Sequence, residues 1–268
     1  MLSPNLKKQF SRLCYSIYPK TITASLMQKD RELYPFLKKN RLDHYFALTL
    51  DKKNETIKEY DLYKNKISTS LKIVKERLKG KQYLVIKTFS CYPHITSDLD
   101  IIIKESIATE KYNNLHLPIA YDISNSISWT NSPEISSNFI WSNILKYNFD
   151  NNQFFVPNSD LDVLIRMGHL PFEQAEMRLG ELLHIYSQFN KVNWIVLEKE
   201  ASDNGWKNTF QKTKHLLEML HTKLFYTSDF VGFPYRLSFT LLTQAVIEKK
   251  AWKKIWGARY IIKDRLGV

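Results

Sequence analysis

The chain has 268 residues, 44% hydrophobic and 25% charged, ordinary globular usage that excludes extensive disorder or a fibrous repeat. Its 7 Gly and 9 Pro exclude long flexible linkers, and its two cysteines, Cys14 and Cys91, are too few for a disulfide framework and lack metal-ligand spacing, which points to a reducing compartment, the cytoplasm. With 39 Lys and Arg against 27 Asp and Glu, the net charge of +12 is a field that attracts phosphates.

The opening stretch "MLSPNLKKQFSRLCYSIYPK" lacks an apolar core of signal-peptide length, and no segment reaches the roughly 18 apolar residues of a membrane span, so no membrane partner is expected. Residues 1–80 read as helical. In "YDLYKNKISTSLKIVKERLKG" the apolar Ile67, Leu71, Val74 and Leu78 step by four, three and four, and Gly80 supplies a stop. Three strands are predicted next, in "KQYLVIKTF", "SDLDIIIKES" and "HLPIAYDISNSISW", with the Pro-containing "SCYPHIT" between the first two. From Pro157 the pattern is helical again, through "PFEQAEMRLGELLHIYSQF", "WIVLEKEASDNG" and "WKNTFQKTKHLLEMLHTKLF" to a last stretch after Pro234. The expected fold is α+β: a helical region over residues 1–80, a core with a small mixed sheet over 81–155, and a helical region over 156–268.

The tetrapeptide SDLD occurs twice, at Ser97–Asp100 and at Ser159–Asp162. In the first copy a strand places Asp98 and Asp100 on one face and Leu99 on the other, while Ile101, Ile102 and Ile103 hold the strand in a core. Two carboxylates on one face repel, and a divalent cation relieves the repulsion, because Mg²⁺ favours one or two carboxylates together with phosphate oxygens and water. The second copy opens a helix. Ser159 is expected as its N-cap, with Asp160 and Asp162 in the first turn at the positive end of the helix dipole.

The stretch "LVIKTFSCYPHITSDLDIII" resembles the segment of nucleotidyltransferases of the DNA polymerase β-like superfamily that runs from a Lys-bearing strand to the metal-binding aspartates. "IAYDISNSISW" is similar to their later acidic strand, and the similarity continues through "VPNSDLDVLIRMGHLPFEQAEMRLGELLHIYSQFNKVNWIVLEKEASDNGW", so that it covers roughly residues 80–220. The resemblance implies that Asp98, Asp100 and Asp122 hold Mg²⁺ or Mn²⁺ and carry catalysis. Two such cations about 3.5–4 Å apart bind a triphosphate, lower the pKa of an attacking hydroxyl and stabilise the leaving pyrophosphate. Where the superfamily usually has Gly-Gly or Gly-Ser, this chain has Lys87-Thr88-Phe89-Ser90, so Lys87, Thr88 and Ser90 are the expected contacts to the NTP, offering a cation and two hydroxyls. The implied activity is transfer of an NMP from an NTP such as ATP to an acceptor, with RNA favoured by the net charge. The alternative is a non-catalytic module that keeps the fold to bind nucleotide or RNA.

Asp122 also fits a turn in which it bonds its own backbone, with Glu105 and Glu110 as other acidic choices. Tyr92 and His94 either close the loop around Pro93 or touch a ligand there. His169 and His184 read as core or boundary histidines. In the tail, Lys249, Lys250, Lys253, Lys254, Arg259, Lys263 and Arg265 run beside Trp252, Trp256 and Tyr260, which reads as a terminal helix docked by its aromatics or as a nucleic-acid-facing surface.

Overall fold

In a computed structural model of the chain, residues 34, 37–38, 41–50, 55–105, 112, 115–129, 132–133, 135–172 and 178–226 are described. After the short helix α1 (Asp43–Leu50), Ile67, Leu71 and Val74 of the four-three-four stripe run along helix α2 (Glu55–Arg77), Leu78 follows directly after its end, and all four are buried against one face of a sheet. Beyond the helix, Gly80 takes a left-handed backbone, φ 79°, which turns the chain into the first strand at no steric cost.

The three predicted strands form as β1 (Tyr83–Ile86), β2 (Asp98–Ile103) and β3 (Ala120–Ser124). A small ribbon, β4 (Ser128–Trp129) with β5 (Ser132–Pro133), and a short helix α3 (Ser137–Ser142) follow. Strands β6 (Ile144–Phe149) and β7 (Asn152–Pro157) make a hairpin that adds two strands to the three predicted. Asp150 and Asn151 at its tip both have positive φ, 48° and 62°, the geometry of a two-residue hairpin turn that favours Asn and Asp. The sheet order is β3-β2-β1-β7-β6: β1 runs antiparallel to β2 and parallel to β7, and β2 runs parallel to β3. The sheet is thus mixed, and the fold is α+β with helical flanks.

Alternation along the strands sorts the core into two layers. Tyr83, Val85, Leu99, Ile101 and Ile103 pack toward α2, whereas Leu84, Ile86 and Ile102 pack toward the later helices. Those helices are α4 (Ser159–Phe172), α5 (Leu179–Gln188) with a 3₁₀ turn at Phe189–Lys191, α6 (Trp194–Asp203) and α7 (Lys207–Tyr226). Their packing centres on aromatic rings: Trp129 stacks on Phe172 at 5.9 Å, and Trp206 meets Trp129 edge-on at 5.8 Å. Gly168 of α4 lies directly against Trp129, so close that a Cβ there would fall 2.2 Å from the ring.

Among the described residues, no helix is long and apolar enough to cross a membrane. The basic and aromatic tail, Glu110 and Cys14 lie outside the described residues.

Candidate active site

Asp98 and Asp100 alternate with the buried Leu99 and Ile101, so both carboxylates leave β2 on the face that carries Ile102, toward α4 and α5. The parallel register sets Asp122 of β3 directly opposite Asp100, while the buried Ile123 beside it faces α2. One face of the sheet therefore presents three carboxylates on neighbouring strands. Asp122 lies in the middle of β3 and not in a turn. Ser97 Oγ donates to Asp98 Oδ1 at 2.9 Å, and Thr96 Oγ1 donates to the Asp98 carbonyl at 2.9 Å, fixing the entry into β2.

The three aspartates open into a cleft of about 410 Å³ whose far wall comes from Arg41, before α1, and from α4, α5 and Arg178 at the head of α5. Charge in this cleft is divided. Lys87 Nζ lies 2.8 Å from Asp100 Oδ2, and Arg41 Nη1 donates to Glu181 Oε1 at 3.2 Å. Burial pushes the Asp100 carboxyl up from its ordinary value; Lys87 pulls it back, and Asp98 and Asp122 add to the rise.

The donor set is hard oxygen, and a cation taking one or two carboxylates plus phosphate oxygens suits it. Among the described residues no three His, Cys, Asp or Glu side chains are gathered into a group fit to hold a metal ion. The Lys87 ammonium stands where a cation's charge would be needed at Asp100. Asp98 and Asp100 fit one cation as a carboxylate pair, provided Lys87 moves off Asp100.

Of the three residues expected to touch triphosphate, only Lys87 lines this cleft. Its backbone is left-handed, φ 58°, and the chain beyond turns away. Thr88 is buried, its Oγ1 donating to the Ile86 carbonyl at 3.2 Å, and Ser90 Oγ accepts from Arg166 Nη2 at 3.4 Å. Both instead line a separate aromatic cavity of about 480 Å³, with Tyr60, Tyr63, Phe89 and Tyr147. Tyr92 and His94 are buried and line that same cavity, their rings 5.3 Å apart. Burial, with Arg166 and Arg41 nearby, pushes the His94 imidazole down to about 3. Glu105, two residues beyond β2, does not line the cleft.

The second SDLD copy departs from the capping expectation. Asn158, not Ser159, caps α4: its Oδ1 accepts from Leu161 N–H at 3.0 Å. Asp160 accepts from Asn193 N–H at 2.8 Å. Asp162 points into the interior, where Arg166 Nε donates to both its oxygens at 3.2 Å and where His184 Nε2 and Gln188 Nε2 also reach it. Burial works to raise its pKa, but Arg166 and His184 hold the carboxyl well below the usual range.

The backbone N–H of Cys91 donates to His184 Nδ1 at 2.9 Å, so the imidazole proton sits on Nε2, facing Asp162. Burial, with Arg166 beside it, lowers the His184 pKa, and Asp162 works against that. Arg166 Nη2 also donates to the Phe89 carbonyl at 3.3 Å. The second copy thereby grips the segment 89–91 that follows Lys87. His169, read as a core or boundary histidine, lines the cleft from α4.

Arg41, Arg178 and Glu181 were absent from the sequence-based site, because they reach it from segments far from the strands and no local pattern marks them. No protein-family model, curated protein or solved structure matches the chain. The functional reading rests on the cleft's own chemistry.

Proposed function

We propose that the protein is a metal-dependent nucleotidyltransferase that moves an NMP from an NTP to an acceptor, RNA being the acceptor class its charge favours. One observation carries the reading: three carboxylates from two parallel strands, Asp98, Asp100 and, in register, Asp122, face one cleft whose opposite wall carries arginines. In the reaction an acceptor oxygen bonds to the α-phosphorus, the bond from that phosphorus to the bridging oxygen of the β-phosphate breaks, pyrophosphate leaves with the electron pair, and the acceptor proton is released.

Asp98 and Asp100 are the residues that would hold Mg²⁺ or Mn²⁺, which supplies Lewis-acid activation and charge neutralisation when bound. In this reading Asp122, exposed on β3, orients the acceptor hydroxyl and takes its proton. Lys87, released from Asp100, turns its ammonium to the phosphates. Leu170 and Ile185 contribute apolar wall that limits water in the cleft.

A second reading, a non-catalytic module that binds a nucleotide or RNA, is favoured by the Lys87–Asp100 pair, which leaves Asp100 already neutralised. Label transfer separates the two. The protein is incubated with each α-labelled NTP and Mg²⁺ or Mn²⁺, alone, with total RNA and with cell extract. Labelled acceptor supports the enzyme; NTP binding by calorimetry with no labelled product supports the module.

A further inference from the structure

We infer that Arg41 and Arg178 form a polyphosphate seat on the helical wall of the cleft, replacing the backbone contacts that a glycine-bearing loop would give. The inference rests on the nucleotidyltransferase reading for its ligand, a nucleoside triphosphate. Its geometry stands on three observations made on the cationic wall.

The first is the distribution of charge. Arg166 lines the cleft but is spent on Asp162 and on the 89–91 segment, and Lys87 is paired with Asp100. Among the described residues Arg41 has one carboxylate partner, Glu181, and Arg178 pairs with none. Both guanidiniums line the same cleft, and Arg178 adds to the lowering of the Arg41 pKa that burial begins. Like charges held together beside a cleft are stabilised by an anion between them.

The second is backbone geometry. Arg41 N–H bonds the Lys38 carbonyl at 3.0 Å and Leu42 N–H bonds the Leu37 carbonyl at 2.8 Å, the bond pair of a helix end whose left-handed residue is usually glycine. Here that residue is Arg41, at φ 59°. A bulky cation held in a glycine slot is strain retained at a site where its side chain is needed.

The third is placement. Arg178 is the N-cap of α5 and lines the cleft, so its guanidinium lies beside the head of that helix. A phosphate beside it also meets the positive end of the α5 dipole.

The test uses inorganic tripolyphosphate without metal, so that the seat is read apart from catalysis. Calorimetry on the full chain is expected to show binding that weakens about tenfold in Arg178→Gln, the loss of one charge-assisted contact. Arg41→Gly, which suits the left-handed backbone, is expected to weaken binding by a similar factor while the helix end persists. Asp98→Asn leaves binding equal or tighter. No binding by the native chain, or equal binding by Arg178→Gln, overturns the seat. Tripolyphosphate binding with no nucleotide transfer keeps the seat and removes the enzymatic reading; transfer that is indifferent to Arg178→Gln does the reverse.

Discussion

Two identical tetrapeptides end in opposite environments. Asp98 and Asp100 lie at the start of an inner strand, on the face that lines a cleft, repelling each other and Asp122, with one lysine as counter-charge. Asp162 is buried between Arg166 and His184, with every carboxylate oxygen bonded. The first copy is compensated in part, by Lys87 at Asp100, and lines an open cleft; the second is compensated fully and spends its charge on holding the chain. The contrast shows that letters fix chemistry only through period. In a strand SDLD puts both carboxylates on one face, whereas in a helix it separates Asp160 and Asp162 by about 200°, one toward solvent and one toward the core.

The comparison breaks first at Asp162. Asp162→Ala leaves Arg166 as a buried, uncompensated charge, and a loss of about 3–5 kcal/mol is expected from urea unfolding. Replacing Asp162 and Arg166 together by Leu and Met is expected to recover much of that loss. A single replacement that costs nothing would mean the second copy carries no architecture.

Next is pH. Below the unfolded value of about 6.5, the unfolded chain takes up a proton at His94 that the folded chain refuses down to about 3, so stability falls as pH drops, by up to about 1.4 kcal/mol per unit. His184, also lowered by burial, acts in the same sense. Asp162, held low, adds stability above an unfolded value of about 3.9 that is lost as pH falls below it. Urea midpoints at pH 7.5 and 4.5 check this, and His94→Gln is expected to flatten the slope.

Gly168→Ala tests the helix that carries the second copy: its Cβ would meet Trp129 at 2.2 Å, and a cost of about 1–3 kcal/mol is expected in thermal unfolding. The smallest effect is at Asp160. Asp160→Ala removes one exposed bond to Asn193 N–H and is expected to cost about 0.5–1 kcal/mol by the same assay.

The helical stripe of α2 and the alternation of β2 were legible because period alone sets which side chains share a face. The β6–β7 hairpin carried its signal in Asp150-Asn151, a turn pair between two apolar runs, but the turn's left-handed backbone is what makes it decisive. Asp162 and Arg166 stand four apart, a pairing visible in the sequence. Their burial was not, because it depends on His184 and Gln188 arriving from α5. Thr88 and Ser90 were expected at the cleft, yet the turn at Lys87 directs them into the aromatic cavity. Arg41 and Arg178 come from outside the strands that bear the aspartates, so only the assembled fold brings them opposite.

The most direct measurement compares the two copies in one assay: transfer from an α-labelled NTP with Mg²⁺ by the native chain, Asp100→Asn and Asp160→Asn, each confirmed folded by its thermal midpoint. The account predicts labelled acceptor with the native chain and with Asp160→Asn, and loss of at least about a hundredfold with Asp100→Asn, the scale of one removed catalytic contact. Transfer that survives in Asp100→Asn, or that is absent from the native chain with every acceptor, contradicts it.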